Sequence, residues 1–361
     1  MIKILINTPK LQISGGVSSY WISLLSEFEK YNDLNMKHLE IGGHGKNLFG
    51  SLLDQYKMHN TLKSDMDLAF LNPSLASRSF FRDGLFAKQL IDKEIPFIVF
   101  FHGWNYNFEK KIDKKYIKFF LNSFGNAKKI FVLSEYFKNK ILEWGYKGEV
   151  IVKITTVDSK LLNDFTIDKK IKTIHSAKTI KILFLARLVK EKGIYELIDA
   201  FTNLHNRYSN IELTIAGDGE ELERIKQITE DIENIKIIGH IEGEEKIAYL
   251  KNSHIYCLPS YAEGLPISVL EALAFGLPVI TTKVGGLADF FQDKKMGYFV
   301  KPKEIKELED KLEILILDRK KIVEIGKFNH QYSKEKLLDN IVANEIYIDI
   351  LSIIKLYQEE I

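Results

Sequence analysis

Apolar residues along this chain come in short, nearly unbroken runs, and between the runs they recur every three or four positions. The first half carries IKILIN, DLAFLN, PFIVFFH, KKIFVLS and EVIVKI, and the second IKILFLA, IELTIAG, IKIIG, HIYCLP and PVITT. Near-continuous apolar strands separated by amphipathic helices predict α/β architecture, with parallel sheets covered on both faces. There are two such sets. Between them, LLNDFTIDKKIKTIHSAKTIK, residues 161–181, is polar, lysine-rich and without clear period. The pattern predicts one domain over residues 1–165 and another over 179–337. The C-terminal stretch KEKLLDNIVANEIYIDILSIIKLYQEEI has helical periodicity, and its last helix, about 338–361, is expected to complete the first domain.

At 361 residues the chain is long enough for two domains of about 150 residues each, each Rossmann-like in pattern. With 45% hydrophobic and 28% charged residues it reads as an ordinary globular protein, which excludes disorder and fibrous repeats. MIKILINTPK is strand-like and lacks a signal peptide's apolar core, and no apolar run is long enough to span a bilayer; a cytoplasmic location is expected. The single cysteine, Cys257, rules out an internal disulfide and, within HIYCLPS, reads as a buried structural thiol.

Charge divides unevenly along the chain. Residues 1–178 hold 27 Lys+Arg against 18 Asp+Glu (+9), and 179–361 hold 24 against 31 (−7). A basic half suggests an anionic partner or surface. EKKIDKKYIKFFLNSFGNAKK, residues 109–129, is lysine-dense, with Ile112, Tyr116, Phe119 and Phe120 at helical spacing. This segment would suit peripheral contact with the inner face of a membrane. The favoured reading is that its apolar stripe packs on its own sheet, because the next strand follows directly and needs covering.

In open α/β sheets, ligands bind beyond the carboxyl ends of the strands. Candidate chemistry gathers at those ends. Gly15 and Gly16 precede a helix after the first strand, where amides favour an anion, although a plain tight turn would look the same. ARLVKEKG places Arg187 and Lys192 where a planar fork and a flexible ammonium could clamp a diphosphate; solvated surface cations are the alternative. Gly217 and Gly219 in AGDGEE form a further strand-to-helix turn. In EGLPISVLEALAFGLPVITTKVGG, Glu263 lies before a helix whose first turn holds Pro266, and Glu271 lies on it. Eight residues leave the two carboxylates about 80° apart around the helix axis, so they could touch different parts of one elongated ligand. A loop carboxylate near the helix dipole and an exposed helix residue are the bland alternative. Gly285 and Gly286 open another helix. His102, after the strand FIVFF, puts an imidazole at a cleft rim, for proton transfer, hydrogen bonding or a structural role. DMD at Asp65 and Asp67 reads as a polar strand entry, and the nine histidines have no zinc-site spacing, so no metal is expected.

The run from Ser260 to Gly286 resembles the signature of the retaining glycosyltransferases of family four: a Glu, seven residues, a Glu, then Gly-X-Pro-Val and a Gly-Gly loop. The resemblance extends through Gly15-Gly16, His102-Gly103, VLSEYFK, ARLVKEKG, AGDGEE and GHIEGEE, nearly the whole chain. It implies the GT-B fold, two Rossmann-like domains with sheets facing across a cleft. It also implies a hexosyl donor of the nucleotide-diphosphate sugar type, UDP- or GDP-linked, held by the C-terminal domain, with the acceptor on the N-terminal one. By the resemblance Arg187 and Lys192 hold the diphosphate, Glu271 the ribose hydroxyls and Glu263 the transferred sugar. Ile241 lies beside the base, Gly15 and Gly16 close over phosphates or sugar, and His102 sits at the reacting centre.

Two positions depart from the family pattern. ITTVD stands where Asn-Gly-Val-Asp is common, so the Asn and Gly are missing while Asp158 matches, and Asp289 replaces a common Glu. The resemblance implies retention at the anomeric carbon, by front-face attack, without a cofactor or divalent metal. The expected acceptor is a glycan or lipid-linked sugar in bacterial surface-polysaccharide synthesis, and no nucleic acid partner is expected. An epimerase or hydrolase of the same fold, or a non-catalytic nucleotide-sugar-binding subunit, are the competing readings.

Overall fold

In a computed structural model, described for residues 1–11, 16–42, 48–62 and 65–360, the chain divides into two compact units. The first comprises Met1–Thr156 together with Asp339–Ile361, and the second Val157–Leu338.

The first unit holds strands β1 (Ile2–Pro9), β2 (Leu34–Ile41), β3 (Leu68–Leu71), β4 (Ser74–Leu75), β5 (Phe97–Phe100), β6 (Gly103–Trp104), β7 (Lys129–Val132) and β8 (Glu149–Val152). Six of them form a parallel sheet in the order β2-β1-β3-β5-β7-β8, and β4 pairs with β6. The second unit holds β9 (Ile180–Leu185), β10 (Ile211–Ala216), β11 (Ile235–Gly239), β12 (Ile255–Leu258), β13 (Val279–Thr282) and β14 (Gly297–Val300), parallel in the order β11-β10-β9-β12-β13-β14. All ten strands read from apolar runs are present. Of the two six-stranded sheets, the sequence reading missed β2 and β14, and both are edge strands. The alternating burial along β2 explains its omission: an edge strand covered on fewer sides needs no continuous apolar run.

The final helix, Asp339–Glu360, belongs to the first unit, where it packs on the helix Gly16–Phe28. Ser23 Oγ donates to Asp339 at 2.7 Å, and Asp349 takes Lys129 at 2.7 Å and Lys153 at 2.9 Å. The boundary differs from the sequence reading. Residues 157–178 belong to the second unit, and the supposed linker contains the helix Ile167–Ser176. Buried Lys170 anchors it, donating to the carbonyls of Leu250 (3.0 Å), Lys251 (2.7 Å) and Ser253 at the end of the helix Gly243–Asn252.

This division removes the charge asymmetry. Five lysines of residues 160–178 go to the second unit, and five acidic residues of the last helix go to the first. The first unit then carries 23 Lys+Arg against 20 Asp+Glu (+3) and the second 28 against 29 (−1).

In residues 109–129 the apolar stripe is turned into the first unit, with Tyr116 and Phe119 set against the helix Ser77–Ile91. The segment is helical from Tyr106 to Asn122, with a π turn at Ile112–Tyr116. Ile112 and Phe120 are fully buried, and Tyr116 and Phe119 lie 5.0 and 5.1 Å from the ring of Phe81. Lys110, Lys111, Lys114, Lys115 and Lys118 are exposed. Among the described residues, no helix is long and apolar enough to cross a membrane.

Candidate functional site

In the second unit, the groups at the carboxyl ends of β9, β12 and β13 converge through their backbones and charges. β9 ends at Leu185, and the chain then makes a one-turn helix, Lys190–Lys192, capped by Gly193 at φ +71°. A Cβ on Gly193 would lie 2.2 Å from the carbonyl oxygen of Pro259, so the loops after β9 and β12 approach more closely than any side chain permits. Tyr261 N–H donates to the Glu191 carbonyl at 2.8 Å and extends this contact. Lys192 Nζ consequently meets Glu263 Oε1 at 2.6 Å, with only 16% and 7% of the two side chains exposed.

The Gly-Gly loop after β13 packs on the same turn. Gly286 N–H donates to the Gly264 carbonyl at 2.6 Å, and a Cβ on Gly285, at φ +52°, would lie 2.0 Å from the Glu263 carbonyl oxygen. Gly285→Ala is therefore expected to cost about 1–3 kcal/mol, from the left-handed conformation alone, and to displace Glu263. Thermal unfolding checks the first consequence, and unchanged stability would contradict this packing.

Glu271 lies on the helix Ile267–Ala274, with Pro266 at its N-cap, one residue earlier than the sequence reading placed it. It is buried, not an exposed helix residue, and pairs with Lys246 at 2.7 Å. Lys246 escaped the sequence reading: it stands 25 residues away on another helix, with no local signal. Ile241, in the loop after β11 and just before that helix, is 4% exposed. Arg187 is exposed, and its guanidinium makes no hydrogen bond or ion pair among the described residues. Cys257 is fully buried, and burial pushes its thiol pKa up, away from reactivity.

In the first unit, His102 follows β5 and is 9% exposed, so it is a buried ring and not a rim residue. Its Nε2 lies 3.0 Å from Asn72 Oδ1, and it packs on Phe100 and Tyr20 with centroids 3.9 and 5.1 Å away. Burial pushes its pKa down to about 3, so the ring is neutral at physiological pH. Asn7, within β1 near its carboxyl end, accepts Asn72 N–H from just after β3 at 2.8 Å and reaches Asp83 at 2.8 Å. Sequence reasoning missed Asn7, Asn72 and Asp83. The signal available was an Asn closing each of the runs IKILIN and DLAFLN. Gly16 starts the first helix and is exposed; Gly15 lies outside the described residues. Asp67, at the opposite end of β3, accepts Lys3 N–H at 2.7 Å and so secures the strand entry.

Comparison with known proteins fits this arrangement. Residues 166–332 match the model for glycosyl transferases group 1. The chain is 27% identical to the putative teichuronic acid biosynthesis glycosyltransferase TuaC of Bacillus subtilis over 60% of this chain and 54% of TuaC. It is 29% identical to the capsular polysaccharide biosynthesis glycosyltransferase CapM of Staphylococcus aureus over 45% of this chain and 43% of CapM. It spans about half the length of these curated relatives. Among solved structures, Anabaena HepE in complex with UDP and glucose superposes with a TM-score of 0.73 at 15% identity, over 98% of this chain and 100% of that one. Residues 166–332 thus match the glycosyl transferases group 1 family, within a chain that has the GT-B fold of glycosyltransferases.

Proposed function

We propose that the protein is a retaining, metal-independent hexosyltransferase that moves a sugar from a nucleotide-diphosphate donor to a glycan or lipid-linked acceptor in surface-polysaccharide synthesis. The observation that carries this reading is the pair of nearly buried lysine–carboxylate contacts, Lys192–Glu263 and Lys246–Glu271, at the carboxyl ends of one parallel sheet. The relatives named for teichuronic acid and capsular polysaccharide synthesis support the acceptor class. HepE bound to UDP and glucose supports the donor class.

Breaking the sugar–phosphate bond leaves positive charge on an oxocarbenium-like carbon and negative charge on the departing diphosphate. Stabilising that leaving group is the largest electrostatic task. In this reading Arg187, without a side-chain partner among the described residues, and Lys192 take the diphosphate. Glu271 accepts from the ribose hydroxyls with Lys246 holding its carboxylate, Glu263 accepts from hydroxyls of the transferred sugar, and Ile241 lies against the base. By the family resemblance, Gly15 and Gly16 are assigned to phosphates or sugar and His102 to the reacting centre. The departing phosphate helps take the acceptor's proton, so no paired acid and nucleophile of the glycosidase kind is needed.

The test is a titration of the purified protein with UDP-, GDP- and ADP-sugars, following thermal stability and nucleotide release without acceptor. Selective stabilisation with slow release is expected. Fast release of free sugar would favour a hydrolase, and no binding to any of the panel would overturn the reading.

A further inference from the structure

Buried polar groups of the first unit form a continuous chain behind His102, and that chain has a direction. Asn72 Nδ2 donates to the Asn7 backbone carbonyl at 2.8 Å. A carbonyl can only accept, so the amide orientation of Asn72 is fixed and its Oδ1 is the atom facing His102. Asn7 is fixed likewise: its Oδ1 accepts from Asn72 N–H at 2.8 Å, which turns its Nδ2 to Asp83 Oδ1 at 2.8 Å. Asp83, fully buried, is held in turn by Ser79 Oγ and Arg82, both at 2.8 Å.

Since Asn72 presents an oxygen, the ring nitrogen opposite must carry a proton. We propose that Asn72, held by Asn7 and Asp83, is a positioning residue that locks His102 as the Nε2–H tautomer, so that Nδ1 meets the ligand only as a hydrogen-bond acceptor. Nδ1 has no partner among the described residues. The group it recognises is a hydrogen-bond donor, a hydroxyl of the sugar or acceptor, and not a phosphate oxygen. This inference rests on the functional reading above for the identity of the ligand, but not for the tautomer. The surroundings support a neutral ring: Phe100 and Tyr20 cover it, and the nearest charged groups traced through the chain, Asp83 and Arg82, neutralise each other.

Nitrogen-15 spectra of the full chain labelled at histidine, with His102 assigned through His102→Gln, test the lock directly. The expected result is a protonated Nε2 and an unprotonated Nδ1, unchanged between about pH 5 and 8. A protonated Nδ1, or a ring that titrates in that window, would overturn the proposal. Asn72→Asp supplies the second arm. It places a carboxylate against Nε2–H and raises the ring pKa, so Nδ1 gains a proton as pH falls. With a donor that the wild type turns over, KM should then rise about tenfold across the new titration, a limb that His102 does not contribute in the wild type. An Asn72→Asp ring that titrates while both KM and kcat stay flat would sink the acceptor role. If the tautomer is found as expected but no nucleotide sugar binds, the functional reading fails while the lock stands on its own spectrum.

Discussion

Lys192→Ala is expected to lower kcat/KM for the donor by on the order of 10²–10³, with the fold retained. The ammonium lies at the carboxyl end of the sheet, 16% exposed and 2.6 Å from Glu263. In so enclosed a position it is worth more to a departing diphosphate than a solvated lysine would be. Two effects must be separated, because the substitution also leaves Glu263, 7% exposed, without its cation. Comparing Lys192→Ala with Lys192→Ala/Glu263→Gln does so. Because Glu263 is itself assigned to the sugar, the reference is Glu263→Gln alone: if the loss reflects only a stranded carboxylate, the double variant matches it, and if Lys192 acts on the leaving group, the double variant falls well below it. Steady-state kinetics with circular dichroism give the answer, and wild-type turnover in Lys192→Ala would remove the lysine from the site.

Glu271→Ala is the second large effect, an expected 10- to 100-fold weaker donor affinity, from the loss of charged hydrogen bonds to ribose hydroxyls. Lys246 makes the prediction sharper. Its 2.7 Å contact leaves the Glu271 carboxylate oriented before any ligand arrives. Lys246→Met should therefore weaken donor binding in the same direction but by less, since the carboxylate remains and only its orientation is released. Calorimetric titration with the nucleoside diphosphate alone and with the full nucleotide sugar distinguishes these roles. A ribose contact weakens both ligands equally, whereas a contact to the transferred sugar weakens only the second. Equal binding by wild type and Glu271→Ala would overturn the ribose assignment.

Most of the ten strands legible in the sequence carry their burial openly: a strand covered on both faces is apolar at consecutive positions, as in FIVF of β5 or IYCL of β12. Glycines at the strand ends were legible for a related reason. A position such as Gly285, with a backbone oxygen where its Cβ would be, admits no other residue without strain. Leu34–Ile41 was not legible, because an edge strand alternates and its pattern resembles a loop's. The lysine-rich stretch before β9 was misread because it buries little, chiefly Ile174 and the ammonium of Lys170, which donates to carbonyls 80 and more residues away.

The sequence by itself determined the class of fold, the strand ends at which chemistry could gather, and the resemblance to glycosyltransferases, since all three are written in local pattern and spacing. Tertiary structure alone decided how the charges pair. Lys192 with Glu263 and Lys246 with Glu271 span 71 and 25 residues, and Asn7, Asn72 and His102 come together only because β1, β3 and β5 are neighbours in one sheet. It also decided that residues 157–178 belong to the second unit. Such pairings follow from the order of strands across a sheet, which long-range burial selects and no local stretch of sequence encodes.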